Sequence, residues 1–161
     1  MMLSAGRFGV VGRILAIDWG TVRLGLAVSD ELLVTAQPLP ARRRQGMRGD
    51  LDYLKGLRDH WGIERVIVGL PKGLSGTLGP SATEAKAFAD RVRVALEVPV
   101  LLWDERLTTQ EAERVLIAAG VRRRRRREVV DSAAATLLLQ GYLDREARRR
   151  AGGAGSAGTR S

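Results

Sequence analysis

The apolar run Ile14-Leu15-Ala16-Ile17 ends abruptly in Asp18, and a second run, Leu24-Gly25-Leu26-Ala27-Val28, starts six residues later. Two short apolar runs separated by a turn-like stretch predict a strand hairpin over Arg13–Asp18 and Leu24–Ser29. Asp18 then sits near the middle of that hairpin. A carboxylate on a buried strand is costly unless something cationic compensates it. A metal ion held against phosphate is one such partner; a salt bridge or a turn-capping role is the ordinary alternative. Gly20, with no side chain, lets a backbone segment or a phosphate approach closely.

The remaining pattern fixes the company this hairpin keeps. A third strand is expected at Leu33–Pro38, followed by a polar, positively charged loop at Arg42-Arg43-Arg44-Gln45-Gly46. Leucines at 51, 54 and 57 predict a helix from Asp50 to His60, with Gly62 placed to end it. Val66-Ile67-Val68, within an expected strand Glu64–Leu70, is β-branched and continuous, as in a strand covered on both faces. Pro71 to Pro80 reads as a Gly-rich loop. A helix from Ser81 to Leu96 would carry Ser81 as N-cap, with Glu84 completing a capping box. A strand at Val98–Trp103, a helix at Thr108–Ala119 and a long helix at Glu128–Arg148 follow. The expected class is α/β, with a mixed sheet of about five strands, the first three antiparallel, flanked by helices. Residues 1–12 form a loose lead-in, 13–148 one domain, and 149–161 a disordered basic Gly/Ala-rich tail.

Charge narrows the function. Lysine and arginine outnumber aspartate and glutamate by 27 to 18, a net +9 in 161 residues, and the pI is near 11.2. Such a balance favours a polyanionic partner, nucleic acid before membrane, although an arginine-rich proteome gives the same signature. With no cysteine, thiol catalysis and zinc–thiolate sites are excluded. The single histidine, His60, falls near a helix end, away in sequence from every other candidate group. No stretch has the length of a signal-peptide core or a membrane span, so a cytoplasmic location is expected.

Carboxylates are what remain for hydrolytic chemistry. Asp18 lies on the first strand, Asp104 and Glu105 follow the last, and Asp131 falls in the first turn of the last helix. Sites in α/β sheets gather at the carboxyl ends of strands. Carboxylates converging there would repel one another unless divalent cations bridged them, and a metal pair about 3.5–4 Å apart is the known device for phosphodiester cleavage. Hard oxygen ligands select Mg²⁺ or Mn²⁺. Individually each acid has a plainer use: Asp131 at the positive end of its helix, Asp104 or Glu105 as a cap or a partner of Arg106.

The motifs holding these acids resemble those of the YqgF (RuvX-like) family. Ala16-Ile17-Asp18-Trp19-Gly20-Thr21 through Asp30 is similar to its first motif, and Val68-Gly69-Leu70-Pro71 with Gly76 and Gly79 to its second. Trp103-Asp104-Glu105-Arg106-Leu107-Thr108-Thr109 resembles the third, and Val129-Val130-Asp131-Ser132-Ala133-Ala134 the fourth. The resemblance runs from about Ile14 to Asp144. It implies an RNase H-like fold and a metal-dependent nuclease, acting on the 5′ end of precursor 16S rRNA or on Holliday junctions. By the same motifs Asp18, Glu105 and Asp131 are the catalytic, metal-holding carboxylates, with Asp104 as an alternative ligand. The chain departs from the pattern at Val22, often basic in the family, and at Lys72-Gly73-Leu74-Ser75. RNase H-like resolvases commonly carry an acid at the end of the fourth strand; here Gly69-Leu70-Pro71 stands there.

Basic residues near these motifs are candidates for phosphate contact: Arg23, Lys72, Arg106 and the run Arg122, Arg123, Arg124, Arg125, Arg126 and Arg127, read as a linker between two helices. Like charges in a block are commonly just solvated; beside Asp131 they would hold several phosphates and make binding steeply salt-dependent. Trp19, Trp61 and Trp103 are expected in packing, not base stacking. Nothing resembles a base-reading motif, so recognition of structure is expected, by a monomer or a homodimer. Two other readings stay open: an actin-like ATP-binding protein, since Asp-x-Gly-Thr also opens that phosphate site, and a non-catalytic nucleic-acid-binding module. The first needs two such domains.

Overall fold

Residue parity along the first strand divides the molecule into two cores. In the computed structural model, which describes residues 12–70, 80–104 and 123–156, β1 spans Arg13–Asp18, β2 Arg23–Ser29 and β3 Ala36–Arg43. Helix α1 spans Met47–Trp61, β4 Ile63–Leu70, α2 Pro80–Leu96, β5 Val100–Asp104 and α3 Arg123–Ser156. The strands form one sheet in the order β3-β2-β1-β4-β5. β1 pairs antiparallel with β2, and β2 with β3; β4 runs parallel to both β1 and β5. The mixed sheet with an antiparallel first half is the expected one.

Successive strand residues point to opposite faces. Leu15 and Ile17 therefore join Leu24, Leu26, Val66 and Val68 beneath α1 and α2, where Leu54, Phe88, Val92 and Leu96 complete a core. Ile14 and Ala16 go the other way, with Ala27 and Ile67, against Ala135, Leu138, Leu139, Tyr142 and Leu143 of α3. Those helical positions follow the spacing of one apolar stripe. Complete burial of such a side chain is worth about 1.5–3 kcal/mol, so the stripe is what holds α3 to the sheet. The three tryptophans pack as expected. Trp19 is buried in the first core, Trp61 lies against it, and Trp103 meets Tyr142 edge to face at 5.4 Å. His60 is exposed near the end of α1, its ring edge to face with Trp61 at 5.1 Å.

Several boundaries differ from the sequence-based expectation, each for a local reason. β3 starts at Ala36 and runs through Arg43, so Arg42 and Arg43 belong to a strand and not to a loop. A connection closed by Asp30, which accepts hydrogen bonds from the amides of Val34 (2.7 Å) and Thr35 (3.0 Å), occupies the segment assigned to early β3. Helix α2 begins at Pro80, so Ser81 is inside the helix and is not its N-cap; proline suits a first helical position because its missing N–H has no intrahelical partner there. Arg123 to Arg127 lie in the first turns of α3, not in a linker, and α3 continues to Ser156 through residues expected to be tail. Gly62 does end α1, in the left-handed conformation at φ 67°. The expected lead-in up to residue 11, the Gly-rich loop 71–79 and the helix Thr108–Ala119 lie outside the described residues. Among the described residues no helix is long and apolar enough to cross a membrane.

Candidate active site

Asp18 is the last residue of the central strand, and its parity with Ala16 puts it on the α3 face of the sheet. Its neighbours in register are Gly25 on β2 and Gly69 on β4. Both flanking positions therefore lack a side chain. The next pair along, Leu70 and Asp104, closes the parallel half of the sheet at the same edge. Two strand spacings of about 4.8 Å separate β1 from β5; the backbones of Asp18 and Trp103 flank Gly69, and Asp104 lies one residue further along.

Helix α3 is fixed over this edge by Ser132. Its side chain is fully buried, and its Oγ accepts a 3.1 Å hydrogen bond from the Leu26 amide. Leu26 is opposite Ile17 and sits where the β2–β3 register shifts, so the helix satisfies a buried donor at a break in the ladder. Asp131 immediately precedes this anchor. The structure thus brings Asp18, the backbone of Asp104 and the Asp131 segment to one edge. Glu105, Lys72, Arg106 and Arg122 lie outside the described residues. Arg23 is exposed at the start of β2, on the Asp18 side of the sheet by its parity with Gly25.

The turn joining β1 to β2 is locked from the other face by a charged cluster that sequence reasoning missed. Asp50, fully buried in the first turn of α1, accepts from Arg42 Nε at 3.2 Å, Arg44 Nε at 3.1 Å and the Gln45 amide at 2.9 Å. Arg42 stacks over Tyr53 at 4.4 Å, and Arg44 lies over the Trp19 and Phe88 rings, both at 5.4 Å. Arg44 also grips the turn directly: its amide donates to the Val22 carbonyl at 2.8 Å and its Nη1 to the Gly20 carbonyl at 3.4 Å. Within this turn the glycine at 20 has a concrete purpose. A Cβ there would fall 2.5 Å from the Arg23 carbonyl oxygen, so the group that comes close is the chain's own backbone.

A one-residue bulge sets up the cluster. β2 and β3 pair Leu26 with Leu39 but Leu24 with Arg42, so β3 spends three residues where β2 spends two. Bulges re-aim the side chains beyond them. Here the shift turns Arg42 and Arg44 toward Asp50, and Arg43 toward the opposite face. The only signal in the sequence was three consecutive arginines followed by an aspartate six residues on, which composition alone read as a solvated loop.

Comparison with known proteins identifies this arrangement. Residues 12–145 match the family model described as "RuvX: Holliday junction resolvase". The chain belongs to the RuvX family. As a member it is a nuclease with the RNase H-like fold. A Geobacillus kaustophilus protein is 49% identical over 134 residues, covering 82% of this chain and 97% of its own; one from Moorella thermoacetica is 49% identical over 133 residues, covering 83% and 95%. Both carry the name "Putative pre-16S rRNA nuclease". Among solved structures, fowlpox virus resolvase bound to Holliday junction DNA superposes with TM-score 0.56 at 12% identity, over 82% of this chain and 97% of that one. Thermus thermophilus RuvC does so with TM-score 0.53 at 16% identity, over 84% and 96%. These two likenesses establish the fold.

Proposed function

We propose that this RuvX-family chain is a divalent-metal-dependent nuclease that processes the 5′ end of precursor 16S rRNA, with Asp18, Glu105 and Asp131 as its ligating carboxylates. The observation that carries the reading is the setting of Asp18: a carboxylate at the carboxyl end of the central strand, between two glycines, on the face covered by the helix that contains Asp131. A hard, all-oxygen donor set suits Mg²⁺ or Mn²⁺. A pair of such ions, when bound, lowers the pKa of a water and neutralises charge gathering on the scissile phosphate. The protein's part is to hold the acids at fixed separation and to seat the substrate strand. By the family motif, Glu105 is taken over Asp104 as the third ligand. Arg23, Lys72, Arg106 and the arginines from 122 to 127 supply phosphate contacts around the acids. The cytoplasm, where precursor rRNA and branched DNA both occur, is the compartment this activity needs.

Relatives at 49% identity named for pre-16S rRNA favour RNA over a DNA junction. The family description favours the second reading, a junction resolvase. A resolvase makes two symmetric cuts and so calls for a homodimer; end trimming is work for a monomer. The two are separated by one assay. A 5′-extended 16S precursor, a four-way DNA junction and linear duplex are incubated with Mg²⁺ or Mn²⁺ and either wild type or Asp18→Asn. Trimming confined to the RNA and abolished by Asp18→Asn, with binding retained, is the expected result. Paired symmetric cuts in the junction alone would make the protein a resolvase, and wild-type cutting by Asp18→Asn would refute the metal-site assignment.

A further inference from the structure

Arg43 takes no part in the cluster around Asp50, yet that cluster determines where it stands. Its two neighbours, Arg42 and Arg44, are both bonded to the buried Asp50. The strand cannot rotate without breaking both ion pairs, and alternation sends the residue between them to the opposite face. That face is the one Asp18 occupies. Arg43 is exposed and stands directly across the ladder from Arg23, also exposed. Arg23 in turn follows the turn that starts at Asp18, two residues along β2 from the glycine paired with it. Among the described residues no carboxylate forms an ion pair with Arg43.

Like charges placed directly opposite each other on a sheet are destabilising. Here the arrangement is built into the fold by a bulge and a buried three-residue ion cluster. Two arginines at facing register positions on the rim of a nuclease site carry the charge that suits a phosphodiester backbone, which arginine recognises well. We propose that Arg43, paired with Arg23, is a phosphate-holding contact that seats the substrate strand on the β2–β3 side of Asp18, with Asp50 as the residue that positions it. This extends the nuclease reading and rests on it.

The test measures binding, so that it does not depend on turnover. The full chain carrying Asp18→Asn is titrated against a fluorescein-labelled RNA stem with a single-stranded 5′ extension, over about 50 to about 200 mM salt. Removing one phosphate contact lowers the slope of log affinity against log salt by about 0.7–0.9. Arg43→Gln is expected to lower it by that amount and to weaken binding about 5–10-fold at the lower salt; Arg43→Lys should keep most of the slope. Arg91→Gln, an exposed arginine on α2 beneath the other face, should leave the slope unchanged. A slope unaltered by Arg43→Gln, or lowered equally by Arg91→Gln, overturns the assignment while the nuclease reading stands. A parent protein that binds no RNA at any salt sinks the reading on which both rest.

Discussion

Replacing Asp50 by alanine removes the acceptor at the centre of the cluster behind the active-site turn. Two guanidinium groups then remain largely buried, their side chains only 14% and 17% exposed, around a carboxylate site that is 0% exposed. Removing one partner of a buried ion pair costs about 3–5 kcal/mol, because the stranded charge keeps its desolvation penalty. Some water reaches both arginines, which places the expectation at the lower end, about 3 kcal/mol. That is a large part of the roughly 5–15 kcal/mol of a typical domain, but not all of it, so Asp50→Ala should still fold. At about 2–4 °C per kcal/mol for a chain of this size, melting should fall by about 6–12 °C. The assay is urea or thermal unfolding followed by circular dichroism, with Arg42→Ala and the double variant completing a cycle. If Asp50→Ala destabilises by less than about 1 kcal/mol, or the cycle shows no coupling, the cluster does not lock the turn.

Two further outcomes follow from single contacts. Ser132→Ala leaves the buried Leu26 amide without its acceptor, which should cost about 1–3 kcal/mol in a urea titration; a change within experimental error would mean that α3 is held by its apolar stripe alone. Burial raises the Asp30 carboxyl, but the amides of Thr35 and Val34 outweigh it and hold the group below its ordinary value. A depressed folded pKa means stability that is present above the unfolded value, about 3.9, and is lost as pH falls through the folded one. The stability gap between wild type and Asp30→Ala should therefore close on acidification below about pH 4; a gap constant from neutral to strongly acidic pH would refute this.

What was legible in the sequence is what depends on local pattern. Apolar runs marked the strands. Gly62 and the leucines at 51, 54 and 57 marked α1 correctly because capping and periodicity act within a few residues. The misread segments are those where a distant partner decides. Arg42 and Arg44 look like solvent residues until Asp50 is seen to accept from both, and nothing local announces the bulge that turns them inward. Pro38 and Pro40 obscured the alternation of β3, since proline supplies no ladder donor and is read as the end of a strand. The arginines of early α3 carried too much like charge to suggest a helix, although they precede an apolar stripe that anchors it.

The same repair is made at two irregular points of the sheet, and it explains why the site is where it is. The β1–β4 register shifts between Arg13 and Ile14, and the Ile14 amide there donates to Ser29 Oγ at 2.8 Å. The β2–β3 register shifts between Leu24 and Leu26, and the Leu26 amide donates to Ser132 Oγ. An unpaired buried amide is costly, so each break in a ladder demands a hydroxyl from elsewhere. In the first case the hydroxyl comes from the neighbouring strand and changes nothing beyond it. In the second it comes from a helix 106 residues later. The bulge that re-aims Arg43 therefore also creates the need that draws Ser132, and with it the Asp131 segment, to the edge where Asp18 ends its strand. One extra residue in β3 thus links the backbone seat of the final helix to the basic rim on the same β2–β3 side of the carboxylate.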